Sequence, residues 1–79
     1  MKKFISELKG KTAMTKDGQI LGIIDNFVVD SATGDIMHVL IVPAQEIETR
    51  LFNLDAQGRI ILPFPSMNSV RDVVVMNIS

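Results

Sequence analysis

The chain has no cysteine, no tryptophan and no tyrosine, and only one histidine. Without cysteine, neither a disulfide nor a thiolate zinc site can staple the fold. Without Trp or Tyr, and with its four Phe in apolar settings, the chain lacks the platforms on which single-stranded nucleic acid stacks. Every apolar run is broken by Gly, Asp, Asn or Pro, so none approaches the roughly 20 apolar residues of a membrane-spanning helix. A net charge of −1 supplies no field to draw in DNA or RNA. Met1-Lys2-Lys3 starts like a signal peptide, but Glu7 and Lys9 interrupt it before an apolar segment develops. Export is therefore not expected, and a cytoplasmic location is.

What is present is hydrophobic: 47% of the 79 residues, concentrated in Val, Ile and Leu. A chain this short makes one domain, residues 1–79, and buries a smaller share of its surface than an average domain does. With so few polar positions left to face water, oligomerisation through an apolar surface is the expected source of further stability. Charge is unevenly placed. Lys2, Lys3, Lys9, Lys11 and Lys16 make the first segment basic, whereas Asp25, Asp30, Asp35, Glu46 and Glu48 make the middle acidic.

Turn signals divide the chain into strands. Phe4, Ile5 and Leu8 fall on one side of a short N-terminal helix or turn that Gly10 ends, expected to pack over one end of the fold. Lys11–Thr15 reads as a first strand and Gln19–Val29 as a second, joined by a tight two-residue hairpin at Asp17-Gly18. Gly22, inside a β-branched strand, marks a bulge, a corner or the close approach of another backbone. Asp30 to Gly34 predicts a looser hairpin into a third strand, Asp35–Pro43, apolar enough to be covered on both faces. Alternation does not say whether Met37, Val39 and Ile41 or Ile36, His38, Leu40 and Val42 form its outer face. Residues 44–50 are left open between loop, helical turn and strand. Asp55 to Gly58 repeats the hairpin logic before a strand at Arg59–Leu62. Pro63 and Pro65 then interrupt the ladder, Ser66–Val70 reads as a short helical turn, and Val73–Ile78 as the last strand.

Few residues invite chemistry. His38 is the one side chain suited to proton transfer near neutral pH, yet it stands in an apolar strand with no Ser, Cys or second His in view. Asp25 and Asp30 flank a turn rather than a cleft. Asp30, Thr33 and Asp35 offer oxygens to a hard cation but lack the ligand density of a calcium loop. Gly18-Gln19-Ile20-Leu21-Gly22 lacks the Gly-Lys-Ser/Thr ending of a phosphate loop. No catalytic, cofactor-binding or metal-binding residue is assigned.

In order, Glu7-Leu8-Lys9-Gly10-Lys11, Asp17-Gly18, Ile20-Leu21-Gly22-Ile23, Asp30 through Gly34, the apolar strand 36–42, Gly58 through Phe64 and Ser69 through Val75 resemble a PRC-barrel domain over nearly the whole chain. Arg71 stands where many members carry Gly. The resemblance implies an all-β fold, a small and strongly bent barrel of about five to six strands. Free-standing members of this size are characteristic of archaea and resemble cell-division proteins that form homo- or heterodimers and bind SepF, the membrane anchor of the FtsZ ring. The expected function is thus a non-enzymatic, dimeric adaptor without cofactors. Its candidate interface is Met37, Val39, Ile41 and Phe64. The alternative is an RNA- or ribosome-associated factor similar to the C-terminal domain of RimM, with Lys9, Lys11 and Lys16 as the candidate basic surface.

Overall fold

The computed structural model describes residues 7–70 and 73–76. The expectations placed on Lys2, Lys3, Phe4, Ile5 and Arg71 lie outside them. Strands β1 (Thr12–Thr15), β2 (Ile20–Val29), β3 (Ile36–Pro43), β4 (Ile60–Pro63), β5 (Met67–Val70) and β6 (Val73–Met76) form one six-stranded sheet in the order β4-β3-β2-β1-β6-β5. All neighbours run antiparallel except β1 and β6, which are parallel.

The bend comes from extra residues. Register slips between β1 and β2 at Leu21, and between β2 and β3 at Asp25 and again at Met37. Each bulge adds local twist and resets which face the following side chains occupy. The wrapped sheet thereby encloses a single cluster that includes Leu8, Leu21, Ile24, Phe27, Val39, Ile41, Ile60 and Met76. Glu7 and Leu8 are helical and Gly10 closes the turn at φ 88°, as the sequence predicts. Leu8 is fully buried, a contribution of about 1.5–3 kcal/mol for a side chain of its class.

Gly22 fulfils the expectation of a close backbone approach. It pairs with Pro43 across the ladder, and the Ala44 N–H donates to the Leu21 carbonyl at 2.9 Å. Residues 44–51 resolve into a turn that buries Ile47, followed by a 3-10 turn at Thr49–Leu51. The Asn53–Leu54 backbone then borders β4: the Ile61 N–H donates to the Asn53 carbonyl, and Leu54 bridges to Ile60.

Two local expectations need correction. The β1–β2 connection is a three-residue loop, Lys16 to Gly18, rather than a two-residue turn. The Gly18 N–H donates to the Thr15 carbonyl at 3.0 Å, and the Thr15 N–H to the Gln19 carbonyl at 2.9 Å. A primed turn would need positive φ at its first central residue, but among the described residues only glycines have it, so Gly18 alone supplies the left-handed step. The second correction concerns Ser66–Val70. The 3-10 turn is earlier, at Phe64–Ser66, and Met67–Val70 is a strand paired with β6. Pro65 fits the turn, but the residues after it carry no proline and the ladder with β6 claims them.

Candidate interaction surface

Register fixes which side chains look outward from β2, β3 and β4. The rows Ile24–Ile41–Ile60 and Phe27–Val39–Leu62 are buried, so the interleaved rows face out. These are Ile23–Val42, Asn26–Leu40–Ile61, in which Leu40 is itself buried, and Val28–His38–Pro63. Ile23 and Val42 are 44% and 46% exposed, and Val28 and the bulged Met37 expose similar fractions. Apolar side chains therefore occupy both ends of one outward face.

An ion pair crosses this face. Arg59 precedes β4, Asp25 is the extra residue of the β2 bulge, and β3 runs between them. The Arg59 Nη1 donates to Asp25 Oδ2 at 2.7 Å, so the guanidinium reaches over β3 between Leu40 and Val42. Its Nε donates to Asp55 Oδ2, also at 2.7 Å. Asp55 is held in turn by its loop, with Oδ1 accepting from the backbone N–H groups of Gln57 and Arg59. The same frame recurs at Thr15, whose Oγ1 accepts from the Gln19 N–H across an equal span. A loop that positions its own first side chain thus aims Arg59 at the sheet. The bulge aims Asp25 at Arg59.

The backbone N–H of Arg59, then its guanidinium and the Gln57 N–H, stabilise the charged form of Asp55 and hold its carboxyl below the usual carboxylate range, against the opposing effect of partial burial. Asp25 first and Asp55 second favour the charged guanidinium of Arg59. Because the folded chain lowers the Asp55 pKa, the associated stability is complete above the ordinary aspartate range and disappears as pH falls through the folded value. Urea midpoints measured against pH should therefore decline below about pH 4. Asp55→Asn should be less stable at neutral pH and decline less steeply in acid. An identical acid profile for the variant would remove this role for Asp55.

The PRC-barrel domain family matches residues 1–79. The chain belongs to the PRC-barrel domain family. No curated protein matches it.

Within this PRC-barrel domain the anticipated interface residues separate. Val39 and Ile41 are fully buried and belong to the core, which corrects their placement on a shared surface. Met37 escapes only because it is the bulged residue, and the bulge also turns Ile36 inward. Phe64 is half-buried against the core, its ring edge-on to Phe27 with centroids 6.3 Å apart. The outward face of the PRC-barrel sheet is therefore Ile23, Val28, Met37 and Val42 around half-buried His38 and Ile61. The lysines separate too. Lys9 and Lys11 precede β1, whereas Lys16 follows it in the β1–β2 loop, about 15 Å further along at strand rise. They do not converge into one basic patch.

Among the described residues no group of three or more His, Asp or Glu side chains is placed to hold a metal ion, and no pocket is detected. No helix among them is long and apolar enough to cross a membrane. The Asp25–Arg59 partnership was missed in the sequence because the two residues are 34 positions apart. The only available hint was the Asp55-to-Arg59 loop, which fixes one end of the network.

Proposed function

We propose that this PRC-barrel protein is a non-enzymatic adaptor that dimerises with a second copy or a related PRC-barrel chain and recruits another protein. The observation that carries the reading is the apolar outward face of β2 and β3, in which Ile23 and Val42 sit side by side with nearly half of each exposed. The Asp25 and Arg59 side chains that cross that face are paired with each other rather than presented singly to a second copy. The recruited protein is proposed to be a SepF-type division protein in an archaeal assembly at the FtsZ ring, a role carried over from family resemblance. The cytoplasm is the corresponding location.

Sedimentation velocity over a concentration series tests the dimer. Ile23→Asp combined with Val42→Asp should weaken association at least about tenfold, the factor corresponding to about 1.4 kcal/mol, while leaving the monomer folded. Affinity purification from the native organism tests recruitment. A chain that stays monomeric at high concentration and recovers no division protein would remove both halves of the proposal. Recovery of ribosomal particles instead would favour the RNA-associated alternative.

A further inference from the structure

We propose that the β2 edge from Asn26 to Val29 is a strand-addition site for an extended, apolar and basic segment of the recruited protein. The site deepens the adaptor reading, on which it rests, by naming where that protein sits.

Strand β1 accompanies only the first half of β2. Ile24 is the last β2 residue it serves: the Ile24 N–H donates to the Lys11 carbonyl at 2.9 Å and the Ile24 carbonyl accepts from Gly10 at 2.8 Å. The chain then departs into the turn that carries Leu8. Further along, the Asp30 N–H points to the other neighbour, donating to the Asp35 carbonyl on the β3 side at 2.8 Å. Between these two markers backbone direction alternates, with Asp25 as the extra bulge residue. Phe27 and Val29 must therefore present their N–H and C=O groups to the side that β1 has left.

A second observation fits that geometry. The Phe27 N–H is taken up by the side chain of its own neighbour, Asn26 Oδ1, at 2.8 Å. A strand N–H satisfied in this way has no ladder partner. Two residues on, alternation turns the Val29 N–H to the same side, beyond the stretch of β2 that β1 accompanies. Open donors and acceptors spaced as in a strand select one kind of occupant, another extended backbone.

The surrounding side chains narrow its chemistry. Val28 and Val29 are each more than 40% exposed, and their places on successive residues put apolar surface on both faces of the edge. The charged residues bracketing it are acidic. Asp30 and, across the hairpin, Asp35 supply that charge at one end, whereas Asp25 at the other is already paired with Arg59. Asp30 Oδ1 accepts only from backbone within its own turn. An occupant with alternating apolar and basic residues matches both features.

The test uses the full chain in its isotope-labelled form and a capped synthetic peptide of about seven residues alternating valine with lysine. Amide shifts should cluster at 26–29, and the Val29 amide should gain protection from hydrogen exchange. A peptide methylated on its edge-facing amides should bind at least about tenfold more weakly, as should a glutamate-for-lysine version. Val29→Pro removes an edge donor without removing a ladder bond, and should weaken binding comparably. Asn26→Ala should strengthen binding a few-fold by freeing the Phe27 N–H. Equal binding of the methylated peptide, or shifts centred elsewhere, would overturn the site. So would a Val29 amide already protected without peptide: protection lost on dilution would mean a second copy holds the edge, and protection at all concentrations would mean the chain covers it. A dimer that ignores the peptide loses this site alone, whereas a monomer that binds it loses only the dimer.

Discussion

Gly22→Ala is expected to leave no folded protein. Gly22 has φ +151°, a conformation that L side chains rarely adopt, and its backbone lies against the end of β3. An added Cβ would overlap the Val42 carbonyl oxygen while sitting 2.8 Å from its carbon and 3.0 Å from the Ala44 nitrogen. Those atoms belong to a ladder and cannot swing aside as a flexible side chain would. On the usual per-residue scale a chain of this length has about 4–12 kcal/mol of stability. Torsional strain of about 1–3 kcal/mol would be survivable alone. The overlap requires β2 and β3 to part where Ile24 and Ile41 close the core. The variant should show neither dispersed amide resonances nor a cooperative urea transition. Gly18→Ala is the control, since its φ is also positive but a Cβ there meets only the terminal methyl of Met14 at 3.9 Å. It should fold with a loss of about 1–2 kcal/mol. A Gly22→Ala protein that unfolds cooperatively near the wild-type midpoint would refute the close approach.

The second large effect is expected at Ile41. Truncation to alanine removes a fully buried side chain between Ile24 and Ile60 and should cost about 2–5 kcal/mol, a large share of the total. One step along the strand, Val42→Ala should change stability by less than about 1 kcal/mol and act on association instead. Chemical denaturation of the two variants, with sedimentation in parallel, separates interior from surface at single-residue resolution. Loss of association without loss of stability in Ile41→Ala would put Ile41 back on a shared face.

That contrast shows how far the amino-acid order could be read. The Asp30–Gly34 and Asp55–Gly58 loops were legible because their chemistry is local: an aspartate that accepts from backbone two residues on, and a glycine that takes the left-handed step. Strands β1 to β4 followed with nearly their observed limits. The faces of β3 were not legible. Alternation groups Met37 with Val39 and Ile41, but Met37 faces out because it is an extra residue, and it is extra only relative to β2. A bulge is a property of two strands, and alternation along one strand does not contain it. For the same reason Asp25 looked like an exposed turn acid, although the bulge delivers it to Arg59. The segment 67–70 misled because Pro65 marks an irregular point without saying on which side the irregularity falls. Its pairing with β6 is what decides it.

The parallel pairing of Thr12 with Val73 sets an order of events during synthesis. Strands β1 to β3 join neighbours through short loops, β4 follows after the connection 44–59, and all four can associate as they emerge. The contact between β1 and β6 closes nearly the whole chain into a loop, and the entropy of that closure has to be met before the contact returns anything. Met76, fully buried on β6, therefore reaches the core late. Until it does, the nascent chain keeps one flank of β1 unpaired, and the interval between emergence and closure is when the protein is most exposed to mispairing with other chains.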